Sequence, residues 1–203
     1  MHTILEKREL GPSLKEYVVK APLVARAARA GQFVVIRLHE RGERIPLTLA
    51  DWDAEAGTIT LVVQEVGKTT RELGERFGVG DAIRDIAGPL GEPSEIERYG
   101  TVVCVAGGVG IAPIYPIARA LRNAGNHVIG IAGARNQGLL FWLDRLEAVC
   151  DELIVATDDG SYGRKGLVTE PLAELLASRK VDRVWAIGPA VMMKFCSLTC
   201  KEA

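Results

Sequence analysis

An unbroken apolar run, Val102-Val103-Cys104-Val105-Ala106, passes directly into Gly107-Gly108-Val109-Gly110 and then into Ile111-Ala112-Pro113, which opens a helical pattern over residues 111–124. An apolar run without polar alternation is a strand buried on both faces, and such strands belong to parallel sheets covered by helices. Glycine at 108 and 110 lets the backbone turn tightly and approach a pyrophosphate. The helix N-terminus that follows offers N–H groups and the positive end of its dipole to phosphates. A glycine loop alone is weak evidence, and a ligand-free turn is the plainer reading. Its position between a strand and a helix is what gives it weight. Pro113 stands where a third glycine is usual, and it is tolerated because its missing N–H would have no partner in a first helical turn.

The same alternation continues to the end of the chain. Further buried runs lie at 127–132, 153–156 and 181–187, with helical stretches at 139–149, 169–178 and 192–203. Strand–helix alternation at this spacing predicts βαβ units and a parallel sheet. In an open sheet of this kind ligands bind beyond the carboxyl ends of the strands. The glycine loop, Gly133-Ala134-Arg135, Asp158-Asp159-Gly160-Ser161 and Gly188-Pro189 all fall on that edge. Each alone is ordinary turn chemistry, but together they make a crevice. Arg135 stands where a 2′-phosphate would bind, and Asp158 and Asp159 would repel one.

Residues 1–95 read differently. Short β-like runs at 14–20, 32–38, 58–64 and 81–86 are punctuated by Gly11, Gly31, Gly42, Gly57 and Gly80, which predicts an antiparallel barrel or sandwich. A short helix over 70–77 would place Leu73 and Phe77 on one face. Gly88-Pro89-Leu90-Gly91-Glu92-Pro93 marks the expected boundary with the second domain, 96–203. Two segments have anion-binding chemistry. Arg44-Ile45-Pro46-Leu47-Thr48 sets a guanidinium beside an extended strand, with Pro46 and Thr48 on one face. Val63-Gln64-Glu65-Val66-Gly67-Lys68-Thr69-Thr70 ends a strand and starts a helix with N–H groups and hydroxyls. Taken singly, they are a surface arginine and a capped helix.

Composition removes other classes. A formal net charge of -1 leaves no basic footprint for nucleic acid. No apolar run is long enough to span a bilayer, and the N-terminus lacks the apolar core of a signal peptide, so a cytoplasmic protein is expected. The four cysteines, Cys104, Cys150, Cys196 and Cys200, form no CxxC pair, and the three histidines do not cluster. Neither a disulfide framework nor a zinc site is expected.

The order of the two halves, with Gly31-Gln32-Phe33, Arg44 to Thr48, Gly88-Pro89-Leu90-Gly91, the loop Gly107 to Pro113 and Gly188-Pro189, resembles the ferredoxin–NADP reductase superfamily over nearly the whole chain. Two related branches look most similar. One is the small subunit of NADH-dependent reduced ferredoxin:NADP oxidoreductase, with the sulfide dehydrogenase subunits like it; the other is the electron-transfer subunit of dihydroorotate dehydrogenase. The stretches 44–52 and 186–194, the latter containing Met192, favour the first branch.

The resemblance implies an antiparallel flavin-binding β-barrel at 1–95 and a Rossmann-like domain at 96–203 for NAD(H) or NADP(H). It implies hydride transfer to FAD and electron delivery to a larger flavoprotein or iron–sulfur subunit. Arg44 to Thr48, Val63 to Glu65 and Gly67 to Thr70 would contact the flavin and its phosphates. Gly107, Gly108, Val109, Gly110, Ala112, Pro113, Arg135, Asp158, Asp159, Gly188, Pro189 and Met192 would hold the dinucleotide. The cofactors would carry the reaction, so no acid–base dyad is expected. The family also carries a [2Fe-2S] cluster on a C-terminal cysteine-rich segment. Cys196 and Cys200 alone do not complete a four-ligand cluster, so a cluster is expected only if a C-terminal extension exists. Three other readings stay open: a flavin or ferric reductase that needs no partner, a nucleotide-binding assembly subunit without redox chemistry, and a bare structural domain.

Overall fold

The computed structural model describes residues 1–202, and the chain forms two compact units that meet in sequence between Ser94 and Glu95. In chain order the first contains β1 (His2–Gly11), β2 (Leu14–Lys20), α1 (Pro22–Ala27), β3 (Phe33–Arg37), β4 (Ile45–Thr48), β5 (Asp51–Asp53), β6 (Thr58–Gln64), α2 (Lys68–Arg76), β7 (Ala82–Ile83) and β8 (Asp85–Leu90). Its strands pair antiparallel in two sheets, β5-β6-β2-β1-β7 and β4-β3-β8. Period-two alternation fills the core between them. Val34 and Ile36 along β3, Leu38 just beyond it, and Ile59, Leu61 and Val63 along β6 are all buried in one cluster.

Helix α2 covers part of that cluster. Leu73 is fully buried, and Phe77, just beyond the helix, packs against the same core. The helix starts two residues earlier than the pattern predicts. Gly67 N–H donates to Thr70 Oγ1 at 3.0 Å, and Thr70 Oγ1 donates back to the Gly67 carbonyl at 3.1 Å. This local exchange caps the first turn and draws the start forward. The segment expected to mark the domain boundary is half strand. Gly88, Pro89 and Leu90 belong to β8, and Leu90 pairs with Phe33.

The second unit contains β9 (Thr101–Gly107), α3 (Ile111–Asn123), β10 (His127–Ala134), α4 (Leu143–Val149), β11 (Glu152–Thr157), β12 (Arg164–Lys165), α5 (Thr169–Ser178), β13 (Arg183–Ile187) and α6 (Ala190–Glu202). All its strands are parallel, in the order β12-β11-β10-β9-β13. Val103 and Val105 face a cluster with Val168, Leu172 and Leu175 of the α5 region and Cys196 of α6. The alternate residues Val102, Cys104 and Ala106 are equally buried, as a strand covered on both faces requires. The helix expected over 139–149 is shorter. Residues Gln137–Leu139 make a 3-10 turn, and α4 begins only after Trp142, which has a φ of 53°.

At the amino end of the sheet, Asp182 ties β13 to β9. Its Oδ2 accepts from Thr101 N–H at 2.9 Å, and its Oδ1 lies 2.6 Å from Lys180 Nζ. The hydrogen bond from Lys180, then that from the Thr101 amide, holds this carboxyl below the ordinary 3.8. A depressed carboxylate contributes stability above its unfolded value and loses it as pH falls through its folded value. Unfolding followed from pH 6 to pH 3 should therefore show wild-type stability falling below about pH 4. Asp182→Asn keeps an acceptor for Thr101 but no charge, so its slope in that window should be shallower. An unchanged slope would remove Asp182 from the acid response.

Candidate functional site

The sheet order fixes where a ligand can reach the second unit. The chain moves outward from β9 to β10, β11 and β12, then returns to place β13 on the other side of β9. The switch point lies between β9 and β13, and crevices of open α/β sheets form there, beyond the carboxyl ends. Gly107 ends β9, and Gly188 directly follows β13.

Three glycines allow these ends to close on one another. A Cβ on Gly107 would lie 2.4 Å from Met192 Sδ and 3.2 Å from Pro189 Cδ. One on Gly188 would lie 2.9 Å from Met192 Sδ, and one on Gly110 only 2.1 Å from the Ile187 carbonyl oxygen. Gly110 therefore seats the helix closely against the strand end. Gly108 differs from all three. Its φ is +55°, and a Cβ there would meet nothing within 4 Å. It opens a 3-10 turn, Gly108–Gly110, that runs into α3. Val109 is exposed at the tip of this turn, Ala112 is buried, and Pro113 sits in the first turn of α3.

Arg135 follows β10, is exposed, and makes no ion pair among the described residues. The Asp158–Ser161 turn is organised by its own side chains. Asp159 Oδ1 accepts from Ser161 N–H at 2.9 Å and from Ser161 Oγ at 2.6 Å, and Ser161 Oγ accepts from Gln137 N–H at 2.8 Å. The bonds from Ser161, side chain first and then backbone, hold the Asp159 carboxyl below its ordinary value. Gln137, Leu140, Leu143 and Tyr162 line a cavity of about 280 Å³. The sequence reading missed it, because Gln137 and Ser161 are 24 residues apart and neither carries a motif.

The first unit sorts the other candidate residues. Arg44 precedes β4, is exposed and makes no ion pair among the described residues. Ile45 and Leu47 turn inward and pack against the core, while Pro46 is exposed and Thr48 half-buried. Only the latter two share the outer face of this strand. Val63 is core. Glu65 is ion-paired with Lys15 and folded over Gly74, where a Cβ would lie 1.7 Å from its Oε1. Gln64 and Lys68 are exposed, and Gly67 and Thr70 cap α2. Thr69, expected to contact a phosphate, donates its hydroxyl to Glu43 Oε2 at 2.7 Å. Glu43 carried no sequence signal. Among the described residues no three metal-ligating side chains gather.

A model of the oxidoreductase NAD-binding domain matches residues 104–198. The dihydroorotate dehydrogenase B (NAD(+)) electron transfer subunit homolog of Thermotoga maritima is 50% identical over 202 residues, covering 100% of this chain and 71% of that protein. This chain belongs to the ferredoxin–NADP reductase superfamily. Within it, the electron transfer subunit of Geobacillus thermodenitrificans dihydroorotate dehydrogenase B is 32% identical, covering 95% of this chain and 75% of the relative. A chain of the NADH-dependent reduced ferredoxin–NADP oxidoreductase structure superposes with a TM-score of 0.92 at 49% identity, over 99% of this chain and 72% of that one. The reductase fold and the role of an NAD(P)H electron-transfer subunit expected from the sequence are both borne out by these relatives. No helix among the described residues is long and apolar enough to cross a membrane.

Proposed function

We propose that this reductase-type subunit binds FAD on residues 1–95 and NADH on residues 96–203, and passes electrons to a larger partner subunit. The observation that carries the reading is the pairing of a packed and an open glycine at the switch point. Gly110 seats α3 on the end of β13, and Gly108 leaves an unfilled cradle at the head of that helix. A 13-residue helix presents roughly half a positive charge there, together with unsatisfied N–H groups, so a pyrophosphate suits it. The cavity edged by Gln137 and Tyr162 would receive the adenosine end. The ionised Asp159 carboxylate next to Ser161 favours a 2′-hydroxyl over a 2′-phosphate, which supports NADH.

In the first unit, Arg44 and the first-turn N–H groups of Lys68, Thr69 and Thr70 suit the FAD phosphates. Pro46 and Thr48 would line the isoalloxazine side of β4. FAD supplies a centre that accepts hydride as a pair of electrons and releases them singly. The protein's part is to orient the two cofactors and neutralise their phosphates. Ile45 and Leu47 contribute by anchoring β4 to the core.

Denaturing the purified protein and identifying any released flavin tests this directly. FAD should be released, and NADH should bleach its absorbance in the native protein. A protein that takes up no FAD on reconstitution would overturn the reading and leave a nucleotide-binding subunit without redox chemistry. For nucleotide choice, Arg135→Ala should leave NADH reduction unchanged. If Arg135 also admits a 2′-phosphate, NADPH use should drop about 10- to 100-fold, matching a charge-assisted hydrogen bond of ~1.5–3 kcal/mol. Unchanged NADPH use would exclude that contact.

A further inference from the structure

The tip of the β3–β4 hairpin touches helix α2 at two points, and neither contact has a part in the reading above. Thr69 Oγ1 donates to Glu43 Oε2 at 2.7 Å; Thr69 is buried and Glu43 is exposed. His39 Nε2 lies 3.4 Å from Glu72 Oε1, and Arg76 reaches the same oxygen at 3.7 Å. Thr69 and Glu72 are three residues apart, so both contacts use one face of the helix. The other flank of the hairpin is fastened as well. Arg37 Nε donates to Asp85 Oδ2 of β8 at 2.6 Å, and its Nη1 donates to the Glu40 carbonyl at 3.3 Å. Gly42 N–H closes the tip on the His39 carbonyl at 2.9 Å.

This fastening joins the two segments that would hold FAD phosphates. Arg44 follows Glu43 immediately, and Thr69 is the second residue of α2. It also changes the role of Thr69. A hydroxyl that donates to a carboxylate is not donating to a phosphate, and the Glu43 charge would repel a phosphate placed on that hydroxyl. We infer that the side chains of Glu43 and Thr69 form a latch that sets the spacing between Arg44 and the N-terminus of α2, and so tune FAD affinity with neither side chain touching the cofactor. Both side chains act by positioning. The inference rests on the FAD reading above, and its test separates the two.

FAD dissociation constants of the apoprotein, read by flavin fluorescence, should be compared for wild type, Thr69→Val, Thr69→Ser, Glu43→Ala, Glu43→Gln and the Thr69→Val/Glu43→Ala double variant. Thr69→Val and Glu43→Ala should each weaken binding about five- to tenfold. The double variant should be no worse than the worse single, because both remove one contact. Thr69→Ser and Glu43→Gln keep a donor and an acceptor and should stay within about twofold of wild type. Amide exchange over residues 38–44 should quicken in the apo forms of Thr69→Val and Glu43→Ala, which reports the latch without flavin. Additive losses in the double variant, or unchanged affinities in a wild type that binds FAD, would overturn the latch. A wild type that binds no FAD would overturn the flavin reading, and unchanged exchange would then overturn the latch independently.

Discussion

Gly110→Ala should cost the second unit about 3 kcal/mol and lower its melting temperature by roughly 10 °C or more. The added Cβ would lie 2.1 Å from the Ile187 carbonyl oxygen, and the obstacle is backbone, not the end of a flexible side chain. Either α3 or the end of β13 must retreat by nearly an ångström. Gly108→Ala should behave in the opposite way. Its Cβ meets nothing within 4 Å, so the fold pays only for a φ of +55° in a residue with a side chain, about 1 kcal/mol. The same Cβ fills the cradle at the head of α3, so NADH affinity should fall at least about tenfold. Melting followed by tryptophan fluorescence suits this comparison, since Trp142 and Trp185 both lie in this unit. If Gly110→Ala melted like wild type while Gly108→Ala bound NADH normally, the division of labour between the glycines would be wrong.

That division also shows what the sequence could and could not reveal. The loop was legible because strand, glycines and helix are contiguous. The role of Gly110 was not, because its contact is Ile187, on a strand that returns much later. The same contrast runs through the fold. β2 and β6 could be read to the residue from their own apolar patterns, and α5 from its own periodicity. β1 was missed: of its residues only Ile4 is buried, and it is a strand because it pairs with both β2 and β7. α1 was missed because six residues with no side-chain cap carry little local signal. Among site residues, Arg44 and Gly67 sit at element ends, as their types suggest. Ile45, Leu47 and Glu65 are turned to the core or to Lys15 by packing that no local motif encodes.

Tyr162→Ala tests the least legible part of the site and should weaken dinucleotide binding while leaving the fold intact. Tyr162 is an exposed aromatic at the edge of the cavity, yet its backbone is fixed. Thr157, fully buried, donates from Oγ1 to the Tyr162 carbonyl at 2.8 Å and accepts from the Tyr162 N–H at 3.1 Å. The Asp159–Ser161–Gln137 chain of hydrogen bonds ties the same turn to the 3-10 turn that follows β10. A backbone held this firmly leaves only the side-chain torsions to be ordered when a base stacks on the ring. Stacking of a base on an aromatic ring is worth ~1–3 kcal/mol, so NADH should bind about 5- to 100-fold more weakly to Tyr162→Ala. Tyr162→Phe keeps the ring and should bind normally. Thr157→Val keeps the ring but leaves the Tyr162 carbonyl without its donor. It should lose about 1–3 kcal/mol of stability and fall between the other two in affinity. AMP and nicotinamide mononucleotide as competing ligands locate the effect. If the cavity takes adenine, Tyr162→Ala should lose AMP binding in parallel with NADH and keep the mononucleotide. Retained AMP affinity would place the adenine elsewhere on the carboxyl edge.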